Sequence, residues 1–129
     1  MGMTDHFSMH IMVTDINHHV RDLLKRELEK EGHSVVTVGN SIEAFHRICD
    51  STAVDLLILD PELLYPYGHS LFSCLLENNP SLRIIIHAYG EFFSGIRLGG
   101  EIHFVEKAGD SISALRRTIR NLSPAKGSD

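Results

Sequence analysis

Four polar side chains stand where apolar runs stop. Asp15 follows His10–Thr14, Asp60 follows Val54–Leu59, His87 follows Leu82–Ile86, and Lys107 follows Ile102–Glu106. Two carboxylates, an imidazole and an ammonium can between them bind a cation and meet an anion, provided the chain brings them together. Asp60 carries the question in its sharpest form, because the run "LLIL" drives straight into an acid and then into the loop "PELLYPYG". Asp before Pro61 favours turn initiation, and Gly68 would help to close such a loop. The competing reading holds Asp60 at the rim of a sheet, where open α/β folds place their ligands.

The elements needed to position these groups are legible in the periodicity. Val20, Leu23, Leu24 and Leu28 recur at helical spacing until Gly32; Val35, Val36 and Val38 make a second strand; Ile42, Phe45, Ile48 and Cys49 make a second helical face. Leu71, Phe72, Leu75 and Leu76 mark a third helix, ended by Asn78-Asn79-Pro80. Residues 91–98 give a short fourth helix, and Ile112, Leu115, Ile119 and Leu122 form the last, capped by Asp110 or Ser111. The runs without polar alternation fit parallel strands covered on both faces. A (βα)5 alternation follows, with right-handed crossovers and a doubly wound, three-layer α/β sandwich. The four polar residues then share its carboxyl edge, which favours a site over a turn.

At 129 residues the chain fits one domain, over 10–122, with an extended or disordered segment at 1–9 and a tail or linker start at 123–129. A net charge of −5 gives no basic footprint, so direct nucleic-acid contact is not expected. The longest apolar runs are strand-sized, so none should span a membrane. Met1-Gly2-Met3 opens neither a signal peptide nor, with His at position 6, a myristoylation site. Cys49 and Cys74 form no CxxC pair and read as reduced core residues, which makes the cytoplasm the default location.

Val13-Thr14-Asp15, Leu59-Asp60, Gly68, Ala88 and Lys107, taken in order and each at its strand end, give the segment from His10 to Leu122 its family likeness. It resembles the CheY-like receiver domain of two-component response regulators. The resemblance implies a sheet of order 2-1-3-4-5 and Asp60 as phosphoacceptor. It implies Mg²⁺, weakly held by Asp15, Asp60 and the Glu62 backbone carbonyl, and Lys107 as the cation meeting carboxylate or phosphoryl oxygen. It further implies phosphate-binding or switch positions at His87, Ala88 and Phe104. The partners implied are a sensor histidine kinase or phosphotransfer protein, a downstream effector, and a second copy docked on the face of the fourth helix, fifth strand and last helix.

The departures from the family are specific. Thr14 replaces the first of two adjacent acids, which removes a negative charge that Glu62 could restore by turning inward. His87 replaces a Ser or Thr; a carboxylate or phosphoryl contact would raise its pKa, while Mg²⁺ and Lys107 would lower it. Phe104 lacks the hydroxyl of a switching tyrosine and also reads as core. Ala108 replaces a proline, and a cis bond there would cost about 2.5–4 kcal/mol, so a trans bond is expected. Pro61 and Pro66 reshape the loop after Asp60.

Plainer readings accompany these. Asp15 and Lys107 can form a structural ion pair with Asp60, His87 can plug a silent site, and Thr14 reads as a small spacer. Among nine histidines, His18 and His19 are adjacent at a helix start and read as exposed, not as metal ligands. Phe92 and Phe93 read as loop packing. No P-loop, GxGxxG or GxSxG element occurs, so the chain reads as a signalling domain and not an enzyme. The alternative function is a degenerate receiver that works as an interaction or dimerisation module without phosphorylation.

Overall fold

Continuous apolar runs of strand length become the strands, and the computed structural model, which describes residues 8–40, 42–43, 46–47, 54–64, 73, 76–90 and 101–122, shows the outcome. Strands β1 (His10–Thr14), β2 (Ser34–Val38), β3 (Leu56–Leu59), β4 (Arg83–Ala88) and β5 (Ile102–Glu106) form one parallel sheet in the order β2-β1-β3-β4-β5. In the register, Thr14 lies beside both Val38 and Leu59, and Ile86 beside Leu59 and Phe104. The carboxyl ends therefore line up.

Every residue of β3 is buried, as expected of a middle strand with both faces covered. Side chains alternate across the sheet and divide the core in two. Met12, Leu57, Leu59, Ile84, Ile86 and Ala88 pack on one face; Ile11, Val13, Ile58, Ile85 and Val105 pack on the other with Leu24 and Leu28 of the first helix (His18–Lys30) and Leu115 and Ile119 of the C-terminal helix (Ser111–Arg120).

Asn17 caps the first helix, accepting from the His19 and Val20 amides at 2.9 and 3.4 Å. Gly32 ends that helix with φ of 97°, a left-handed conformation that favours glycine. Residues 42–43, 46–47, 73 and 76–78 are helical, in the segments read as second and third helices. No described helix is long and apolar enough to cross a membrane.

Several expectations need correction. β3 begins at Leu56, not Val54, and β4 runs two residues further than expected, so His87 lies inside the strand. Leu23 and Ile42, assigned to helical core faces, are 36% and 57% exposed. Phe104, read in part as core, is 46% exposed in β5, at the edge of the sheet. Expectations for residues 1–7, Cys49, Pro66, Gly68, Cys74, residues 91–100 and the tail from Ser123 fall outside the described residues.

Candidate functional site

Asp15 and Asp60 are the first residues past two adjacent strands, and backbone bonds hold both in the ladder: Asp15 N–H donates to Val38 at 3.3 Å and Asp60 N–H to Thr14 at 3.2 Å. Both side chains are buried. Lys107 leaves β5 with its N–H on the Ala88 carbonyl at 2.8 Å. From there it must pass the end of β4 to reach β3, about 10 Å at ordinary strand spacing. A long four-carbon stem suits that span. Its Nζ lies 2.7 Å from Asp60 Oδ2 and 3.0 Å from Asp15 Oδ2.

Each acid divides its two oxygens in the same way. Asp15 Oδ1 accepts from the Asn17 N–H at 2.9 Å, and Asp60 Oδ1 accepts from the Glu62 N–H at 3.0 Å. These are side-chain turns, so the turn-forming reading of Asp60 is correct for one oxygen while the other faces the lysine. Pro61 opens the 3₁₀ turn Pro61–Leu64, a position where its fixed φ fits and no N–H is needed. The Glu62 side chain is exposed.

Burial pulls the Lys107 pKa down, but hydrogen bonds and charge from Asp60 and Asp15 more than offset it and hold the group above its usual range. Two carboxylates against one ammonium leave a net negative charge in a largely buried place. The carboxylate oxygens of Asp15 and Asp60 are hard donors, of the kind that hold Mg²⁺. Among the described residues no three His, Cys, Asp or Glu side chains group to hold a metal ion, and His18 and His19 are exposed.

His87 is the departure. Its Nε2 lies 3.1 Å from Ser111 Oγ, at the start of the C-terminal helix. Burial, reinforced by the Lys107 charge and only partly opposed by Asp15 and Asp60, lowers its pKa to about 4. The lowering expected from Lys107, joined by burial, therefore prevails over the raising expected from the acids. Thr14, also buried, donates its hydroxyl to the Ile58 carbonyl at 3.0 Å, which accords with the spacer reading. Ala88 is buried at the end of β4.

Some contributors were not read from sequence. Arg21 Nη1 donates to the Asp15 carbonyl at 2.6 Å, and Tyr89 lies with its ring centroid 5.5 Å from Lys107 Nζ, within cation–π range. Asn17 carries a visible signal, an amide three residues before Val20 at a helix start. Arg21 carries none, since a lysine or arginine on a helix is usually solvated.

Compared with known proteins, the sequence matches no family model and no curated protein. Solved structures do match. NtrX from Brucella abortus, in complex with ADP, is 27% identical, with 88% of this chain covering 26% of that one at a TM-score of 0.71. TrrA from Thermotoga maritima, a response regulator in complex with Mg²⁺-BeF, is 25% identical over 88% of this chain and 99% of its own, with a TM-score of 0.73. A Burkholderia pseudomallei response regulator with a phosphorylated aspartic acid, calcium ion and citrate shares 18% identity over 91% of this chain and 77% of its own, at 0.61. The chain thus spans about a quarter of NtrX. Its match along nearly the whole of TrrA, with the parallel sheet order that the sequence resemblance requires, identifies the chain as a response-regulator receiver domain, CheY-like in fold.

Proposed function

We propose that this receiver accepts a phosphoryl group on Asp60, from a sensor histidine kinase or phosphotransfer protein, and passes the change to an effector or a second copy. The single observation that carries the reading is Lys107 Nζ held between Asp60 and Asp15 at 2.7 and 3.0 Å. Phosphoryl transfer asks little covalent chemistry of a protein; it asks for position and for cations where charge spreads. Asp60 Oδ2 is the nucleophile, Lys107 the fixed cation, and Asn17 and Glu62 N–H groups keep the two acids oriented.

Asp15, Asp60 and the Glu62 carbonyl would hold Mg²⁺, which would supply charge neutralisation at the phosphoryl oxygens. With Thr14 in place of a third acid, its affinity is low. The assignment of His87, Ala88 and Phe104 to phosphate contact or switching belongs to this proposal too. So does a cytoplasmic setting, where such kinases and reduced cysteines are found together. Neither nucleic acid nor membrane enters the scheme, and the domain is a phosphoacceptor rather than an enzyme acting on a separate substrate.

A second reading has its own support. The Thr14 hydroxyl is committed to Ile58 and the His87 Nε2 to Ser111, so neither of these groups bonds Asp60, as would suit a receiver that binds partners without phosphorylation. Acetyl phosphate with Mg²⁺ separates the two. One added phosphoryl mass, absent in Asp60→Asn, supports the first; no added mass together with no beryllofluoride binding supports the second.

A further inference from the structure

Strand alternation sends His87 to the same face of the sheet as Ile85, the face covered by the first and C-terminal helices. There it meets Ser111 across 3.1 Å, with both residues buried. Ser111 is the first residue of the C-terminal helix, and Asp110 before it makes no side-chain capping bond. The second ring nitrogen of His87, Nδ1, is buried and has no hydrogen-bond partner. Such an orphan is costly and calls for an explanation.

The explanation lies in the tautomer. A neutral imidazole has one N–H and one bare nitrogen, so the partner at Nε2 decides what Nδ1 is. A ring with a pKa near 4 is neutral at physiological pH. If the serine hydroxyl donates to Nε2, the ring proton sits on Nδ1, and the orphan is a donor waiting for an acceptor. The register pairs Leu59 with Ile86, so the next residues along these neighbouring strands, Asp60 and His87, follow side by side at the sheet edge.

We infer that Ser111 is a positioning residue for Asp60: its hydroxyl donates to His87 Nε2, keeps the proton on Nδ1, and so presents an N–H to a phosphoryl oxygen on Asp60 while tying the ring to the first turn of the C-terminal helix. The hydroxyl that the family carries at the end of strand four is thereby supplied from another element, with the imidazole between it and the site. This rests on Asp60 as phosphoacceptor. It adds the route by which a charge there reaches the helix.

Long-range ¹H–¹⁵N spectra of the histidine rings test the first half on the unmodified protein. The expected spectrum at neutral pH shows His87 Nδ1 protonated and Nε2 bare. Ser111→Ala should move the population toward the Nε2–H form, and Ser111→Thr should restore Nδ1–H. A proton on Nε2 in the wild type, or a tautomer unchanged in Ser111→Ala, overturns the inference whatever Asp60 does. Beryllofluoride with Mg²⁺ tests the second half. It should shift both the Nδ1–H resonance and the Ile112 and Ser113 amides in the wild type and in Ser111→Thr, while in Ser111→Ala it binds but leaves those amides in place. Binding with no change at Nδ1 overturns the phosphoryl contact. The absence of any binding with the tautomer as stated overturns the reading of Asp60 instead.

Discussion

The cluster of Asp15, Asp60 and Lys107 and the cluster of Glu27, Glu31, Arg116 and Arg120 are made from the same kinds of groups, acids gripped by cations from later in the chain. In the first, the acid side chains are 2% and 3% exposed and the lysine 13%. In the second, the acids are 19% and 18% exposed and the arginines 33% and 57%. Water screens the second network, which pins the first helix to the C-terminal helix through paired contacts such as Arg116 to Glu31 at 2.8 Å. The first has little water and an acid in excess. Depth therefore divides them: the shallow cluster fastens elements, and an added charge would be felt more strongly at the deep one.

The largest expected effect breaks the deep cluster. Lys107→Met leaves two buried carboxylates without a cation, and urea denaturation at neutral pH should show a loss of about 3–5 kcal/mol. Adding Asp15→Asn to that variant should recover part of it. A loss below 1 kcal/mol would place this cluster with ordinary surface pairs.

His87 sharpens the comparison through pH. Its pKa is lowered from 6.5 to about 4, so the unfolded chain binds this proton more readily than the folded one. Its contribution is complete above pH 6.5 and is lost as pH falls toward 4, about 3 kcal/mol in all. His87→Leu should flatten that limb of the stability profile. A limb unchanged by the substitution would assign it to other groups.

Thr14→Asp enlarges the charge excess instead. It removes the hydroxyl bond to Ile58, with an expected loss of about 1–3 kcal/mol without Mg²⁺, and it should tighten Mg²⁺ binding. A titration without gain in affinity would mean that the missing acid is already replaced.

At the shallow cluster the effects are smaller. The Arg120 guanidinium, with Arg116, holds the Glu31 carboxyl below its usual range against the effect of burial, so its contribution is present above pH 4.5 and is lost as pH falls through the lowered value. Glu31→Gln should cost about 1 kcal/mol or less, and added salt should shrink the difference. Equal salt sensitivity in Lys107→Met would remove the distinction of depth.

The sheet was legible in the sequence because five apolar runs of strand length are separated by helical periods, and β1 and β5 have the expected bounds. The same alignment of strand ends made Asp15, Asp60 and Lys107 legible as neighbours. The limits of β4 were not, because a polar His87 looks like the end of a buried strand, and its partner Ser111 lies 24 residues further on. Leu23 and Ile42 fit a helical stripe by spacing, yet spacing does not tell how far a neighbouring surface extends over a helix flank. The double use of each carboxylate was half visible: "DP" announced the turn, while the lysine's reach over β4 depends on strand order.

Arg21 and Gly39 carry one more consequence, for how substitutions combine. A Cβ built on Gly39 would fall 2.7 Å from Arg21 Nη1, the nitrogen that bonds the Asp15 carbonyl. A methyl group on the loop after β2 would thus displace a guanidinium anchored on another element and loosen the acid beyond it. Gly39→Ala and Arg21→Ala should then be non-additive, the second change costing much less once the first is made. Independent effects in that double-mutant cycle would show that the guanidinium finds another route to the same carbonyl. A position with no side chain thereby sets the mutational background in which Asp15 is read.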